Sequence, residues 1–400
     1  MRLKHATAGL VVAALACASG VAAIASTGSK SGANAKSPVR FSLISYSIPG
    51  ADSLTELTQG ANAAVKLLNA KGGFGGHKVI VDTCNSMLQP AAATACAHKL
   101  LAKHPTAEFG CELAWSASGL QVYARAHVPS VNCLNDPTDY HNPWSFGIVG
   151  GTLGQNHAMA RYLCSRKDIK KVVSLFPDLP VYHSVVYPIG MAKTFAGCGK
   201  QSSIVYYPLT AVDPTPYVNQ VVQEKPDFVN FTGIGGQAVQ MFKSLQQNGI
   251  PPSKVASTDV DFSDKLTKQA GSAMDGAYLE NQFTPWGYTK DPEVAAYLKA
   301  CRAAGVDGRN PSVEWGYAYV MFLYTAAKQI GFDKFNGNSL AKWMNKAKGV
   351  HIPLSRSIVN PGPKGYPQIK QPYQRIARWK GGKFVILPVG PKKDGWVYGF

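Results

Sequence analysis

The chain has 400 residues, 46% of them hydrophobic and 16% charged, a balance that excludes disorder and allows more core than one domain usually holds. Its formal net charge is +18, with the excess heavy between Lys364 and Lys393. Tyr373, Arg375, Arg378 and Trp379 raise a nucleic-acid reading there, but the opening of the chain points outside the cytoplasm, where nucleic acid is seldom met.

Arg2, Lys4 and His5 precede an apolar run over residues 6–16, too short to span a bilayer and flanked like an export signal. Two cleavage readings compete. Ala23-Ile24-Ala25 suits ordinary signal peptidase and makes residues 1–25 the signal; Ala14-Leu15-Ala16-Cys17 resembles a lipobox, makes residues 1–16 the signal, and lipidates Cys17. Either reading puts the mature protein outside the cytoplasm, in the periplasm or at the cell surface. Residues 26–37, rich in Ser, Gly, Ala and Lys, form a flexible tether. Later apolar runs are too short for a membrane span, so membrane contact is expected only through a lipid anchor.

Beyond the tether the pattern alternates. A strand over 41–46 leads to Leu57, Ala61, Val65 and Leu68, whose spacing of three and four marks the apolar face of a helix over 53–70. Gly72 and Gly73 end that helix, and residues 78–81 form an apolar strand buried on both faces. Helices over 91–103 and 117–126 and strands over 107–110 and 128–131 complete one half. A second half has helices over 152–164, 182–195, 217–223, 237–248 and 263–270, with strands over 171–175, 203–207, 227–232 and 254–257 between them. Three more helices, over 293–303, 312–330 and 340–348, precede a hairpin of 374–379 and 383–387 turned by Gly381-Gly382. The expected class is α/β, with parallel sheets in two doubly wound halves.

Eight cysteines in an exported chain point to disulfides, and leaving Cys17 aside an odd number remains, so one thiol is expected outside any intramolecular bridge. Cys84 and Cys111 close successive strands and form the preferred bridge. Cys164 and Cys198, at the ends of successive helices, are the second candidate. Zinc is disfavoured, because CxxC is absent and His98 and His104 lie six apart.

Ligands of open parallel sheets bind beyond the carboxyl ends of the strands. The loops at 45–53, 112–116, 135–136, 178–182, 233–237 and 259–261 are therefore the candidate site. They supply Ser53, Ala114, Trp115 and Ser116 from the first half's early loops, then Asn135 and Asp136, and finally Tyr182, Ile234, Gly235 and Asp259. Structural roles compete: Asp259 as a helix cap, Asn135-Asp136-Pro137 as a turn, Trp115 and Tyr182 as packing residues. Gly233-Ile234-Gly235-Gly236, trailed by Asp259, resembles a dinucleotide fingerprint. It lies mid-chain, however, and free NAD is scarce outside the membrane. A nucleophile elbow and a Walker lysine motif are missing. The expectation is a protein that binds without turnover, with no cofactor and no metal.

NAKGGFGGHKVIVDTC at 69–84 with Cys111 beyond it, TPWGYTKDPEVAAY at 284–297 and PSVEWGYAYV at 311–320 resemble the leucine, isoleucine and valine-binding proteins of ABC importers. The resemblance covers most of the mature chain. It implies the type I periplasmic-binding fold: two Rossmann-like lobes joined by three crossover segments, here 38–151 plus 285–356 and 152–284 plus 357–400. It further implies a monomer closing on an amino acid or related compound and handing it to a membrane permease, with a sensory ligand-binding subunit as the alternative. In that family the positions matching Cys84 and Cys111 are bridged. Its ligand's carboxylate is held by loops matching residues 113–116 and 134–135, its ammonium by an acid matching Asp259, and an aromatic matches Tyr182. The chain departs from the pattern where Glu112-Leu113-Ala114-Trp115-Ser116 replaces a serine-rich loop, Asn135 replaces a threonine and Gly233-Ile234-Gly235-Gly236 replaces a tyrosine-containing loop. These departures imply a pocket longer and more aromatic than one built for leucine.

Overall fold

The computed structural model describes residues 36–47, 55–111, 116–209, 211–233 and 235–400. The export signal, Cys17, Ser53, Ala114, Trp115 and Ile234 lie outside the described residues, as does the side chain of Ser116.

Five strands, β1 (Val39–Ser45), β2 (Val79–Asn85), β3 (Ala107–Gly110), β4 (Ser130–Cys133) and β5 (Ser145–Val149), form a parallel sheet in the order β2-β1-β3-β4-β5 among the described residues. The second sheet takes β6 (Lys171–Pro177), β7 (Gln201–Tyr207), β8 (Phe228–Phe231), β9 (Val255–Thr258) and β10 (Tyr278–Asn281) in the order β7-β6-β8-β9-β10, all parallel. Antiparallel β11 (Tyr373–Lys380) extends it past β10, and both β12 (Lys383–Ile386) and β13 (Trp396–Tyr398) pair with β11. Both parallel runs reverse strand order once, between β1 and β3 and between β6 and β8, which is where a doubly wound sheet opens a crevice at its carboxyl edge. The chain passes between the lobes after β5, after β10 and before β11. The bridge between Gly147 and Ile369 ties the first and third passes together.

Helix Thr55–Ala70 buries Leu57, Ala61 and Leu68 of the expected stripe and Ala64 beside them, while Val65 is only half-buried. Helix Pro311–Ile330 crosses it at contact distance. A Cβ on Gly60 would stand 1.8 Å from the carbonyl oxygen of Val313, so this crossing admits glycine alone. It begins at Asn310, whose Oδ1 accepts from the backbone N–H of Ser312 at 2.8 Å, a cap that sets where the helix starts. The close crossing and the cap together aim Ser312 and Trp315 toward the carboxyl edge of the first sheet.

Some expectations are corrected. Cys84 is bridged to Cys96 and Cys111 to Cys133, not Cys84 to Cys111. The reason is strand order: β1 lies between β2 and β3, and strands two places apart stand roughly 9.5 Å from each other, beyond disulfide reach. β3 and β4 are neighbours, with Gly110 opposite Asn132, so Cys111 meets Cys133. Cys164 pairs with Cys198, and among the described residues Cys301 is the free, buried thiol. The helix beginning at Tyr182 is a π-helix through Ala192, continued by a short α-helix over Lys193–Gly197. Pro188 inside it lacks an amide donor, and the ladder widens around it. β5, β10 and β13 went unforeseen: the first follows Pro143-Trp144 with a glycine inside, the second carries Glu280, and the third has only three residues.

Candidate functional site

Tyr46 directly follows β1, Thr232 and Gly233 follow β8, and Thr258 ends β9; all four line one cleft at the carboxyl edges of the two sheets. The cleft holds about 860 Å³ of open space including its mouth. From the side of the first sheet come Glu56 in the first turn of helix Thr55–Ala70 and Asn310, Ser312 and Trp315 from the start of helix Pro311–Ile330. From the side of the second come Tyr182, Val260, Ser263, Lys265 and Leu266. Thr152 and Gln155 enter from helix Gly151–Cys164, which follows the first pass between the lobes.

This wall is mostly hydroxyls and amides around an apolar patch of Trp315, Val260 and Leu266. Among the described residues Thr258 Oγ1 is buried without a hydrogen-bond partner, and a buried hydroxyl on a cleft wall favours a ligand that completes it. Ser263 is already engaged, accepting from the backbone N–H of Leu266 at 3.2 Å as the cap of helix Asp264–Ala270. Gly233 donates its N–H to Asp261 Oδ2 at 3.3 Å, and a Cβ there would meet that of Ala238 at 2.5 Å. Gly233 is thus explained by close packing against a helix start.

Carboxyl groups stand behind the cleft. Asp259, 2% exposed, accepts from Gln155 Nε2 at 2.9 Å, from the backbone N–H of Gln282 at 3.2 Å and from Trp315 Nε1 at 3.3 Å. Burial pushes it up to about 7 against the pull of those donors. Glu280 and Glu314 are equally buried, and burial, reinforced by the nearby Asp259, drives both well above the usual carboxylate range. Burial therefore disfavours the charged form of all three acids behind the cleft.

Of the residues singled out from sequence, Tyr182 and Gly235 stand on the cleft wall. Asn135 is buried, with Oδ1 accepting from the backbone N–H of Thr152 at 3.0 Å and Nδ2 donating to Cys133 Sγ at 3.3 Å. It holds the start of a helix that itself carries wall residues. Asp136 closes a turn, accepting from the N–H of Thr138 at 2.9 Å and from its hydroxyl at 2.6 Å. Asp259 is not the cap of the following helix, and its carboxylate is turned toward Gln155 and Trp315. Sequence reasoning missed Gln155, Thr258, Lys265, Ser312 and Trp315. Ser312 and Trp315 lie inside the stretch at 311–320 that carried the family resemblance, a signal that was present and assigned no role.

Residues 42–378 match the profile of the periplasmic binding protein family. The chain belongs to that family. The leucine-specific-binding protein of Salmonella typhimurium is 24% identical over 276 residues, spanning 67% of this chain and 72% of that one. Among solved structures, a fatty acid ABC transporter substrate-binding protein from Thermomonospora curvata has a TM-score of 0.75 at 14% identity, covering 88% of this chain and 91% of that one. A branched-chain amino acid ABC transporter protein from Thermus thermophilus with bound valine gives 0.75 at 14%, covering 88% and 95%. A solute-binding protein from R. palustris in complex with benzoate gives 0.72 at 17%, again covering 88% and 95%. These likenesses establish the type I fold. The periplasmic binding proteins serve transport by binding and are not enzymes. No helix among the described residues of this binding protein is long and apolar enough to cross a membrane.

Proposed function

We propose that this periplasmic binding protein is exported, works as a monomer, and carries a small polar organic compound to the permease of an ABC importer. The compound sits between the lobes, and its binding favours their closed arrangement in proportion to its differential affinity. The observation that carries this reading is the cleft itself: hydroxyl-rich residues at the carboxyl edges of both sheets, a buried hydroxyl at Thr258 with no partner among the described residues, and an apolar patch around Trp315.

The ligand class follows from that wall. Hydroxyls and Lys265 suit an anionic or acceptor-rich head, Glu56 offers an opposite charge to an amine, and Trp315 with Leu266 suits an apolar body. An amino acid or a close relative fits all three. Ser53, Ala114, Trp115, Ser116 and Ile234, whose loops follow β1, β3 and β8 in the chain, are proposed to complete the wall.

A thermal-shift screen of the purified mature protein against amino acids, their amides, and aromatic and aliphatic acids tests the reading. A compound at a hundred times its dissociation constant stabilises the protein by about 2.7 kcal/mol, and scattering with that compound should show compaction. Absence of any stabilising compound across the panel overturns it.

A further inference from the structure

Asp259 gathers donors from three separate stretches of chain. Gln155 belongs to the helix after the first pass between the lobes, Gln282 follows β10 at the second pass, and Trp315 lies on the helix packed over the first sheet. Asp259 itself follows β9 of the second sheet. Gln155 and Trp315 also line the cleft, whereas Asp259 stands behind them. Gln155 Nε2 donates in addition to the carbonyl of Glu280 at 3.2 Å, which fixes the orientation of its amide.

We propose that Asp259 is a positioning residue: its carboxylate ties Trp315 of one lobe to Gln155 at the crossover and so sets the width of the cleft, without touching the ligand.

The chemistry of the donors supports this assignment. An indole N–H only donates, and so does a backbone N–H, so two of the three partners can never reverse roles. A carboxylate offers acceptors on both oxygens and satisfies all three. An asparagine would keep its oxygen toward Trp315 and Gln282 and turn its NH2 toward the Gln155 amide nitrogen, donor against donor. That conflict makes the carboxylate necessary on geometric grounds, with no cation from a ligand involved. The inference rests on the cleft being the binding site only for its consequence; the tie between Asp259 and Trp315 exists in the empty protein.

The test therefore uses ligand-free protein with 15N-labelled tryptophan, the Trp315 indole resonance being assigned by its loss in Trp315→Phe. Asp259→Asn should move that resonance and speed its hydrogen exchange by about tenfold or more. An unmoved indole in Asp259→Asn overturns the proposal. Should Asp259→Asn fail to fold, Gln155→Glu alone decides: it sets two carboxyl groups face to face, and the indole must respond. Titration with L-leucine and with 4-methylpentanoate, which lacks the amine, separates the two roles. An Asp259→Asn variant that weakens only L-leucine, with the indole unmoved, makes Asp259 an ammonium ligand. Failure of both compounds to bind the unaltered protein bears on the ligand class alone, since the indole measurement needs neither.

Discussion

Gly316 lies so close to helix Thr55–Ala70 that a Cβ on it would stand 1.9 Å from the carbonyl oxygen of Leu57. With the reciprocal approach of Gly60 to Val313, this places two helix backbones in contact. The crossing carries the start of one cleft wall, because Ser312 and Trp315 sit within a turn of Gly316. Gly316→Ala should destabilise the protein by on the order of 1 to 3 kcal/mol, since the listener at the contact is backbone and cannot rotate away. Denaturant unfolding reads this directly, and a change below a few tenths of a kcal/mol contradicts the packing.

The cysteine connectivity makes a second prediction. Peptide mapping without reduction should yield Cys84 linked to Cys96, Cys111 to Cys133 and Cys164 to Cys198, with Cys301 alkylated only after unfolding. Removing the bridge at the ends of β3 and β4 should cost about 3 kcal/mol. A fragment joining Cys84 to Cys111 would instead require a different strand order.

The stability that Asp259 contributes should fall as pH rises from 5 to 8, while His157, lowered by burial to about 4, pulls the other way over the lower part of that window. Asp259 has a folded value of about 7, raised above its unfolded value by burial, so the native state binds more protons than the unfolded state throughout this window. The stability it contributes is full below about pH 4 and is lost as pH climbs through 7, a loss of about 2 to 3 kcal/mol for Asp259 alone between pH 5 and 8. Glu280 and Glu314, raised in the same direction, add to it. Calorimetry of the unaltered protein and of Asp259→Asn at several pH values checks the sign: the stability of the unaltered protein relative to the variant should fall from pH 5 to pH 8.

Thr258→Val removes a hydroxyl that makes no hydrogen bond among the described residues. The ligand-free protein should keep its melting temperature, while a compound found by screening should bind more weakly by about 0.5 to 1.5 kcal/mol. Equal loss of stability with and without that compound would place the hydroxyl in the fold and not in the site.

The parallel architecture is legible because buried strands and amphipathic helices differ in period, and helix 53–70 or strand 107–110 needs nothing beyond neighbouring residues. The first bridge was misassigned because pairing depends on strand order, and local pattern does not reveal that β1 inserts between β2 and β3. The same limit governs the site. Tyr182 and Gly235 stand at strand or helix ends and were found there, but Gln155 is an ordinary polar residue on a helix. It becomes a wall residue only because a pass between the lobes brings it beside Asp259. Trp315 took no role from the sequence, and the helix crossing at Gly60 and Gly316 is what brings its turn to the cleft.

The first sheet is complete in the chain by residue 149, yet the helix that crosses Gly60 begins at Pro311. A chain emerging N-terminus first must therefore lay down the whole second parallel sheet while helix Thr55–Ala70 still lacks its partner. The early lobe waits, with an apolar stripe bare, for a segment made long after it. Slow emergence lengthens that exposure, so the vulnerable species in synthesis is a nearly full-length chain whose first lobe is the less finished of the two.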